Sequence, residues 1–104
     1  MYRVFHSVEF DETFKKLEKI EQERINKFED QLTINPFVGK PLGFKFFREK
    51  KFNGKRMLYL IYEEFASVLL ATIADKKSQQ TEIDKIKENF ATYKQFITYL
   101  NDKI

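Results

Sequence analysis

An Asn-Gly pair at positions 53 and 54 separates two runs with strand character, and this pair restricts the fold more than any other feature. In a two-residue hairpin turn both central residues take positive φ, which glycine adopts freely and asparagine tolerates. We therefore predict that Phe44 to Phe52 and Lys55 to Glu63 pair as antiparallel strands. The hairpin also concentrates positive charge, because the segment from Arg48 to Arg56, REKKFNGKR, carries five Lys or Arg side chains.

The cations of the hairpin are predicted to gather on one side of it. Because side chains alternate between the faces of a strand, Arg48 and Lys50 share one face, and Arg56 is expected beside them on the partner strand. The opposite face is predicted to carry Phe47, Glu49 and Lys51. Like charges opposed in a sheet are unfavourable. The cluster therefore indicates either a solvated edge strand or a site where an anion neutralises the charge.

The composition excludes several kinds of site. With no Cys and a single His, the chain has no disulfide, no thiol nucleophile and no Cys-based zinc site, and His6 cannot build a metal site alone. We expect no metal, no cofactor and a structural role for His6. The 19 Lys and Arg exceed the 16 Asp and Glu by only three, so affinity for nucleic acid would depend on local clustering of cations.

The length and hydrophobicity indicate one domain over residues 1–104. A hydrophobic content of 42%, with 12 Phe, is sufficient for a core. The first ten residues lack the apolar segment of a signal peptide, and no run approaches the roughly 20 apolar residues of a membrane span. We therefore expect a soluble, cytoplasmic protein with no membrane partner.

The N-terminal part is predicted to form one strand and two helices. Tyr2 to Phe10 alternates like a strand, and Asp11 is placed to cap the helical region that follows. Apolar residues recur at helical spacing from Glu12 to Leu32. One straight helix continuing to Asn35-Pro36 would be about 36 Å long, whereas a domain of this size has a radius of gyration of about 13 Å. We therefore predict a break near Lys19 to Gln22 and an end at the Asn-Pro pair.

The C-terminal part is predicted to complete a sheet and add a helix. Residues 39–41 indicate a turn-rich connection to the hairpin. Ala66 to Ala74 is nearly all apolar, which predicts a central fourth strand covered on both faces. The apolar stripe from Ile83 to Leu100 predicts one amphipathic helix over Glu82 to Ile104. The expected class is α+β, with an N-terminal strand and two-helix hairpin packed on a four-stranded antiparallel sheet, plus the long C-terminal helix.

Three segments resemble a known family: NPFVGKPL at 35–42, REKKFNGKRMLYLIYE at 48–63 and VLLATIADKKSQQ at 68–80. They are similar to the archaeal RelE-like branch of the RelE/ParE superfamily, whose members are the toxins of type II toxin-antitoxin pairs. The resemblance spans roughly Val8 to Ile86. It implies the RelE-like fold more directly than any activity.

The resemblance also implies a site. RelE itself cleaves mRNA in the ribosomal A site without a metal, using basic residues. The positions that match these catalytic residues are Arg48, Lys50, Arg56 and Lys77, and we expect the neighbouring Lys51, Lys55 and Lys76 to bind RNA phosphate. The C-terminal tyrosine of the family has no match, because its position falls near Glu82 or Ile83.

The chemistry of RNA cleavage suits such residues. Attack of a 2′-hydroxyl on the neighbouring phosphorus needs a base, positive charge on the phosphate and an acid for the leaving oxygen. Arg56 has the planar fork that stabilises phosphate oxyanions. Lys50 is the candidate base, since neighbouring positive charges favour its neutral form. Lys76 or Lys77 is expected to bind phosphate or protonate the leaving group.

The resemblance implies three partners, namely a cognate antitoxin, the ribosome and mRNA. The region of Phe14, Leu17 and Phe28 is where exposed apolar surface would receive an amphipathic helix of the antitoxin. Two alternatives stay open. One is a ParE-like inhibitor that does not cut RNA, and the other is a degenerate module of the same fold that binds RNA or protein. The unmatched tyrosine favours the first, and the modest net charge permits the second.

Overall fold

The computed structural model describes residues 1–103, which form five strands and four α-helices. The elements in chain order are β1 (Arg3–His6), α1 (Val8–Lys15), α2 (Lys19–Ile34), β2 (Lys40–Phe44), β3 (Phe47–Phe52), β4 (Lys55–Tyr62), β5 (Ser67–Asp75), α3 (Gln79–Glu88) and α4 (Phe90–Asp102). Single 3₁₀ turns lie at Pro36–Val38 and Glu63–Phe65. Within the described part of the chain, no helix combines the length and the apolar character needed to span a bilayer.

The strands form one sheet in the order β1-β5-β4-β3-β2. β1 runs parallel to β5, and the other neighbours are antiparallel. The predicted α+β class is therefore confirmed, but the sheet has five strands and is mixed rather than four-stranded and antiparallel. The parallel pair arises because the two N-terminal helices carry the chain away from β1 and over one face of the sheet before the other strands form.

The edge strand β2 was missed in the sequence because Pro41 and Gly43 lie within it. Proline cannot donate to a strand ladder, but at an edge one side of the strand has no partner to accept from it. The register between β2 and β3 also shifts between Pro41 and Phe44. The segment predicted as a turn-rich connection is therefore a short, irregular edge strand.

The predicted central strand is confirmed. Every residue of β5 from Ser67 to Ala74 is buried, because helices cover both faces of the sheet. The α1–α2 face is packed with the side chains of Phe10, Ile25, Phe28, Leu32, Met57, Tyr59 and Leu70. The α3–α4 face is packed with Phe47, Leu58, Leu60, Leu69, Ile83, Ile86 and Ile97.

The apolar surface expected to receive an antitoxin is part of the first of these cores. Phe28 is only 6% exposed, and Phe14 and Leu17 are half-buried against the same cluster. That expectation is wrong for these three residues. Their helical spacing reflects the face of α1 and α2 that packs on the sheet.

Helix α1 begins earlier than predicted. Ser7 is the N-cap, with its Oγ accepting a hydrogen bond from the backbone N–H of Phe10 at 3.0 Å, so the strand ends at His6 and Asp11 lies inside the helix. The predicted break between the helices exists but falls at residues 16–18 rather than at 19–22. The side chain of Gln22 donates to the carbonyl of Phe14 at 2.8 Å and so occupies a backbone acceptor at the end of α1. The Asn-Pro pair ends α2 as predicted.

The single helix predicted over Glu82 to Ile104 is two helices, α3 and α4, which meet at Asn89. The amide of Asn89 donates to the carbonyl of Lys85 at 2.7 Å, and asparagine side chains that bond the backbone in this way compete with helix continuation. The apolar stripe remains continuous because both helices pack on the same face of the sheet. Ile104 lies outside the described residues.

His6 joins both N-terminal helices to β1. Its Nδ1 lies 2.8 Å from Asp11 Oδ1 and its Nε2 lies 2.6 Å from Glu29 Oε1. The hydrogen bond to Glu29, with a smaller one to Asp11, raises the pKa of His6 although partial burial opposes the shift. A protonated imidazole donates from both nitrogens, which fits two carboxylate acceptors. The expected structural role of His6 agrees with these contacts.

We expect His6→Asn to lower the melting temperature most at about pH 6 and progressively less toward pH 9. Because the pKa of His6 is raised on folding, its stabilising contribution is fully present below the ordinary value of 6.5 and is lost as the pH rises through the folded value. Melting curves of the native protein and the variant across this range measure the effect. A difference between the two proteins that stays constant with pH would contradict it.

Candidate functional site

The β3–β4 hairpin carries most of the predicted site residues, and its turn has the predicted form. Asn53 and Gly54 have φ of 48° and 76°, and Phe52 pairs with Lys55 across them. A side chain at Gly54 would meet no atom within 4 Å, so glycine is favoured there by the backbone conformation alone.

The turn is anchored to the first turn of α2 by Glu21. The amide of Asn53 and the ammonium of Lys55 donate to Glu21 Oε2 at 2.9 and 2.7 Å. The hydrogen bond from Lys55, followed by that from Asn53, holds the pKa of Glu21 below its usual range. Lys55, expected to bind RNA phosphate, is therefore paired with a carboxylate of the protein itself.

The predicted convergence of Arg48, Lys50 and Arg56 on one face is wrong. Across the two-residue turn Lys51 pairs with Arg56 and Lys50 pairs with Met57. Directly paired residues point to the same face, so Arg56 lies on the α3 side while Arg48 and Lys50 lie on the α2 side. The prediction is wrong because it placed Arg56 on the face of Lys50, whereas Arg56 pairs with Lys51.

Arg48 is bonded to backbone carbonyls. Its Nη1 donates to the carbonyls of Phe37 and Gly39 at 3.0 and 2.8 Å, and its Nε donates to that of Lys45 at 2.9 Å. The guanidinium carbon also lies 5.1 Å from the centre of the Phe37 ring. These contacts join β3 to the segments on either side of β2. They give Arg48 a structural role at this place in the fold.

Arg56 is paired with a buried acid. Its Nε lies 3.6 Å from Glu49 Oε1, and the two side chains are 15% and 3% exposed. The amide of Gln79, at the start of α3, donates to the same oxygen at 3.0 Å. Within residues 1–103 the Arg56 Nε has no hydrogen-bond partner. The sequence did carry a signal for this arrangement, since Glu49 was predicted on the same face as Phe47.

Lys76 and Lys77 are exposed in the turn after β5. Ser78 fixes the turn, because its N–H donates to Asp75 Oδ1 at 2.8 Å and its Oγ accepts from the Asp75 N–H at 3.1 Å. The bonds from Ser78 hold the pKa of Asp75 below its usual range. Asp75 pairs with Lys55 at the start of β4. The structure therefore places both lysines at the end of the sheet where the hairpin turns.

A cleft between α2 and the hairpin is lined by cationic side chains that, among residues 1–103, are not paired with acids. It is an open cavity of about 270 Å³ lined by Arg24, Lys27, Ile25, Phe28 and Gln31 of α2 and by Lys50, Lys51, Phe52 and Met57 of the hairpin. The ammonium of Lys50 lies 5.4 Å from the centre of the Phe28 ring. Among residues 1–103, no Asp or Glu lines the cleft, and Arg24, Lys27 and Lys50 make no ion pair. Lys51 pairs with Arg56, so its side chain belongs to the other face of β3. We call this surface the cationic cleft.

The contribution of α2 to the cationic cleft was missed in the sequence. Arg24, Lys27 and Gln31 are spaced three and four residues apart, which aligns them on one face of a helix. Phe28, on the same face, packs into the core. This spacing was visible, but nothing local showed that this face would lie opposite Lys50.

A larger cavity, of about 420 Å³, lies elsewhere and has a different character. It is lined by Phe46, Ile61, Tyr62, Glu63, Glu64, Phe90, Ala91 and Lys94. Its cation Lys94 pairs with Glu64. The cavity therefore has no excess of positive charge, and an RNA backbone is attracted more strongly to the smaller cationic cleft.

No family model matches the sequence, and no curated protein is significantly similar to it. Solved structures do match its fold. A free mutant form of the E. coli toxin RelE superposes with a TM-score of 0.71 at 15% identity, covering 84% of this chain and 96% of that one. The toxin-antitoxin complex RelBE2 from Mycobacterium tuberculosis gives 0.63 at 23% identity, covering 72% and 98%.

An archaeal RelE–RelB complex from Pyrococcus horikoshii also matches, with a TM-score of 0.64 at 17% identity over 72% of this chain and 94% of that one. Identities this low establish a shared fold and not a shared activity. The matches nevertheless cover nearly the whole length of each solved chain. The protein therefore has the RelE fold, as the resemblance of its three segments implied.

Proposed function

We propose that this protein is the toxin of a type II toxin-antitoxin pair and that it cleaves ribosome-bound mRNA without a metal ion. The observation that carries the proposal is a cationic cleft free of carboxylates on a RelE fold. Solved structures of this fold include complexes of RelE with RelB antitoxins, which supports an antitoxin as the partner of this chain.

The residues of the cleft suit phosphodiester cleavage by the 2′-hydroxyl. In the proposed step the 2′ oxygen attacks phosphorus, its proton passes to Lys50, and the bond from phosphorus to the 5′ oxygen breaks. Arg24 and Lys27 supply positive charge for the phosphate oxygens. Lys77 or Lys76, at the neighbouring turn, returns a proton to the leaving oxygen. The products are a 2′,3′-cyclic phosphate and a 5′-hydroxyl.

The sequence predicted a catalytic role for Arg48 and Arg56, whereas this proposal gives both residues a structural role. Both are held by groups of the protein itself, Arg48 by carbonyls and Arg56 by Glu49. They maintain the positions of the strands. Of Arg48, Lys50 and Arg56, Lys50 is the one that makes no ion pair and no hydrogen bond to the protein among residues 1–103 and is free to meet RNA.

A toxin of the same fold that inhibits its target without cutting RNA is the second candidate. The pairing of Arg56 with Glu49 favours it, because the guanidinium with the geometry best suited to a phosphate oxyanion lies on the other face of the sheet from Lys50. Both proposed functions include an antitoxin partner, but only the ribonuclease produces cleaved mRNA.

Induction in cells without an antitoxin tests the proposal, with growth and mRNA 5′ ends followed together. We expect growth arrest with new 5′ ends at codon-spaced positions, both lost in Lys50→Met and both retained in Lys85→Met, which removes an exposed lysine of α3. Arrest without new ends would support the non-cleaving inhibitor. Normal growth with the protein present and folded would overturn a toxin function.

A further inference from the structure

We propose that the cavity of about 420 Å³ between the end of β4 and the start of α4 binds an arginine side chain of a protein partner. We call it the aromatic cavity. Its lining comes from residues 46, 61–64, 90, 91 and 94, whereas the hairpin turns at residues 53–54, at the other end of β3 and β4. The inference therefore uses none of the residues that the proposed function assigns to RNA, and it goes beyond that function.

The first observation is a tyrosine whose hydroxyl has no protein partner. Tyr62, the last residue of β4, lines the aromatic cavity and is only 7% exposed. Its hydroxyl makes no hydrogen bond among residues 1–103. Burial, with smaller contributions from Glu64 and Tyr93, raises the pKa of Tyr62, so the hydroxyl is neutral and its lone pairs are free to accept. Because polar groups of buried side chains are normally hydrogen-bonded, this hydroxyl indicates a ligand that carries a donor.

The charge of the lining favours a cation. Two carboxylates, those of Glu63 and Glu64, and one ammonium, that of Lys94, lie in the cavity wall. Lys94 pairs with Glu64. The carboxylate of Glu63 lies 3.9 Å from the ammonium of Lys45, and both side chains are largely exposed. Because an exposed ion pair at this distance contributes little, Glu63 remains available to a cationic ligand.

Aromatic rings supply faces on which a cation can lie. The rings of Phe46 and Phe90 line the cavity, with their centres 5.1 Å apart and their planes at 65°. The ammonium of Lys94 already lies over two rings of this region, 5.7 Å from the centre of Tyr62 and 5.3 Å from that of Phe65. A cation within about 6 Å of a ring centre is attracted to its face. The rings of Phe46 and Phe90 offer the same attraction to a cation of the ligand.

A guanidinium group fits these features better than other groups do. It is planar, it stacks on aromatic rings, and it has five N–H donors and no acceptor, which matches a wall that offers a hydroxyl and a carboxylate. The ammonium of lysine lacks the flat face. A nucleobase stacks on the same rings, but the phosphates that accompany it are repelled by the two carboxylates. The volume of about 420 Å³ lies within the range of cavities that enclose a ligand.

The surface around the cavity favours an arginine that is presented by a protein. Phe44 and Phe46, at the end of β2 and in the turn that follows, are 42% and 37% exposed. Their rings contact each other and that of Phe90, with centres 5.1 to 5.2 Å apart. Arginine and aromatic residues are enriched at the centres of protein interfaces and contribute much of their binding energy. A partner protein covers these exposed rings, whereas a free guanidine compound leaves them in water.

The test is an NMR titration of the isotope-labelled full chain with the tripeptide Ala-Arg-Ala, acetylated and amidated at its ends. We expect saturable shifts of the backbone N–H signals of Phe46 and Ala91. Tyr62→Phe should weaken binding about tenfold, because it removes one hydrogen bond from a charged donor. Tripeptides with citrulline or lysine in place of arginine should also bind more weakly, since citrulline lacks the charge and lysine lacks the planar fork. The matched control is Tyr99→Phe, which alters an exposed tyrosine of α4 outside the cavity and should keep the native affinity.

Equal affinity for the arginine and citrulline tripeptides would overturn the proposal, and so would native affinity in Tyr62→Phe. Free arginine that binds more tightly than the tripeptide would assign the cavity to a small molecule and overturn the protein partner. Self-association of the native chain in sedimentation, lost in Glu63→Gln, would assign the cavity to a second copy of this chain instead. None of these measurements uses RNA or growth, so their failure is distinguishable from a failure of the proposed function.

Discussion

Replacing Arg56 with alanine lowers the free energy of unfolding by about 3–5 kcal/mol. The substitution leaves the Glu49 carboxylate, whose side chain is 3% exposed, without its cation. Gln79 remains as a donor to one oxygen, but a single amide does not compensate a buried charge. Loss of activity in Arg56→Ala would therefore follow from lost stability and would not by itself identify a catalytic residue.

Denaturant unfolding of a double-mutant cycle measures this contribution. We expect Arg56→Met and Glu49→Gln each to be strongly destabilising, and the double variant to lose less than the sum of the two, because it leaves no buried charge unpaired. If Arg56→Ala stays within about 1 kcal/mol of the native protein, the pair is solvated, and Arg56 is then free to contact an RNA phosphate.

Replacing Lys50 with methionine reduces the rate of mRNA cleavage by about 10²–10⁴-fold, the range expected when a general base is removed. The fold is unaffected in this account, because Lys50 is exposed and contacts the ring of Phe28 with its ammonium but pairs with no acid among residues 1–103. Single-turnover cleavage by protein bound to ribosomes gives the rate, and thermal melting confirms the fold.

The matched control is Lys85→Met, which removes an exposed lysine from α3 and should cleave at the native rate. A native rate in Lys50→Met would remove Lys50 from the reaction. A loss of less than about tenfold, accompanied by weaker RNA binding, would give Lys50 a role in holding phosphate rather than in proton transfer.

The sequence predicted the elements of the fold that a short segment determines by itself. The Asn53–Gly54 turn follows from the two residues that occupy it, and the apolar run of β5 required a central strand. The edge strand β2 was not predictable in the same way, since Pro41 and Gly43 are compatible with a strand only where one side lacks a partner. The break after α1 was predicted a few residues too late, and the joint at Asn89 was missed, because no Gly or Pro marks either position.

The site was predicted only in part, because some of its residues come from segments that are distant in sequence. Lys50 was visible in a basic strand, but its neighbours Arg24 and Lys27 come from a helix more than 20 positions earlier and meet it only through tertiary packing. The burial of the Arg56–Glu49 pair and its contact with Gln79 depend on the placement of α3, which no short segment encodes. The face of Arg56 alone could have been obtained from sequence, by counting residue pairs outward from the turn.

The proposed ribonuclease activity is best measured as cleavage of a defined mRNA on purified, programmed ribosomes, with the 5′ and 3′ ends of the fragments identified chemically. We expect a cut in the A-site codon that leaves a 2′,3′-cyclic phosphate and a 5′-hydroxyl, and no cut when ribosomes are omitted or when Lys50→Met replaces the native protein. Intact mRNA on ribosomes whose translation the protein has stopped would contradict it.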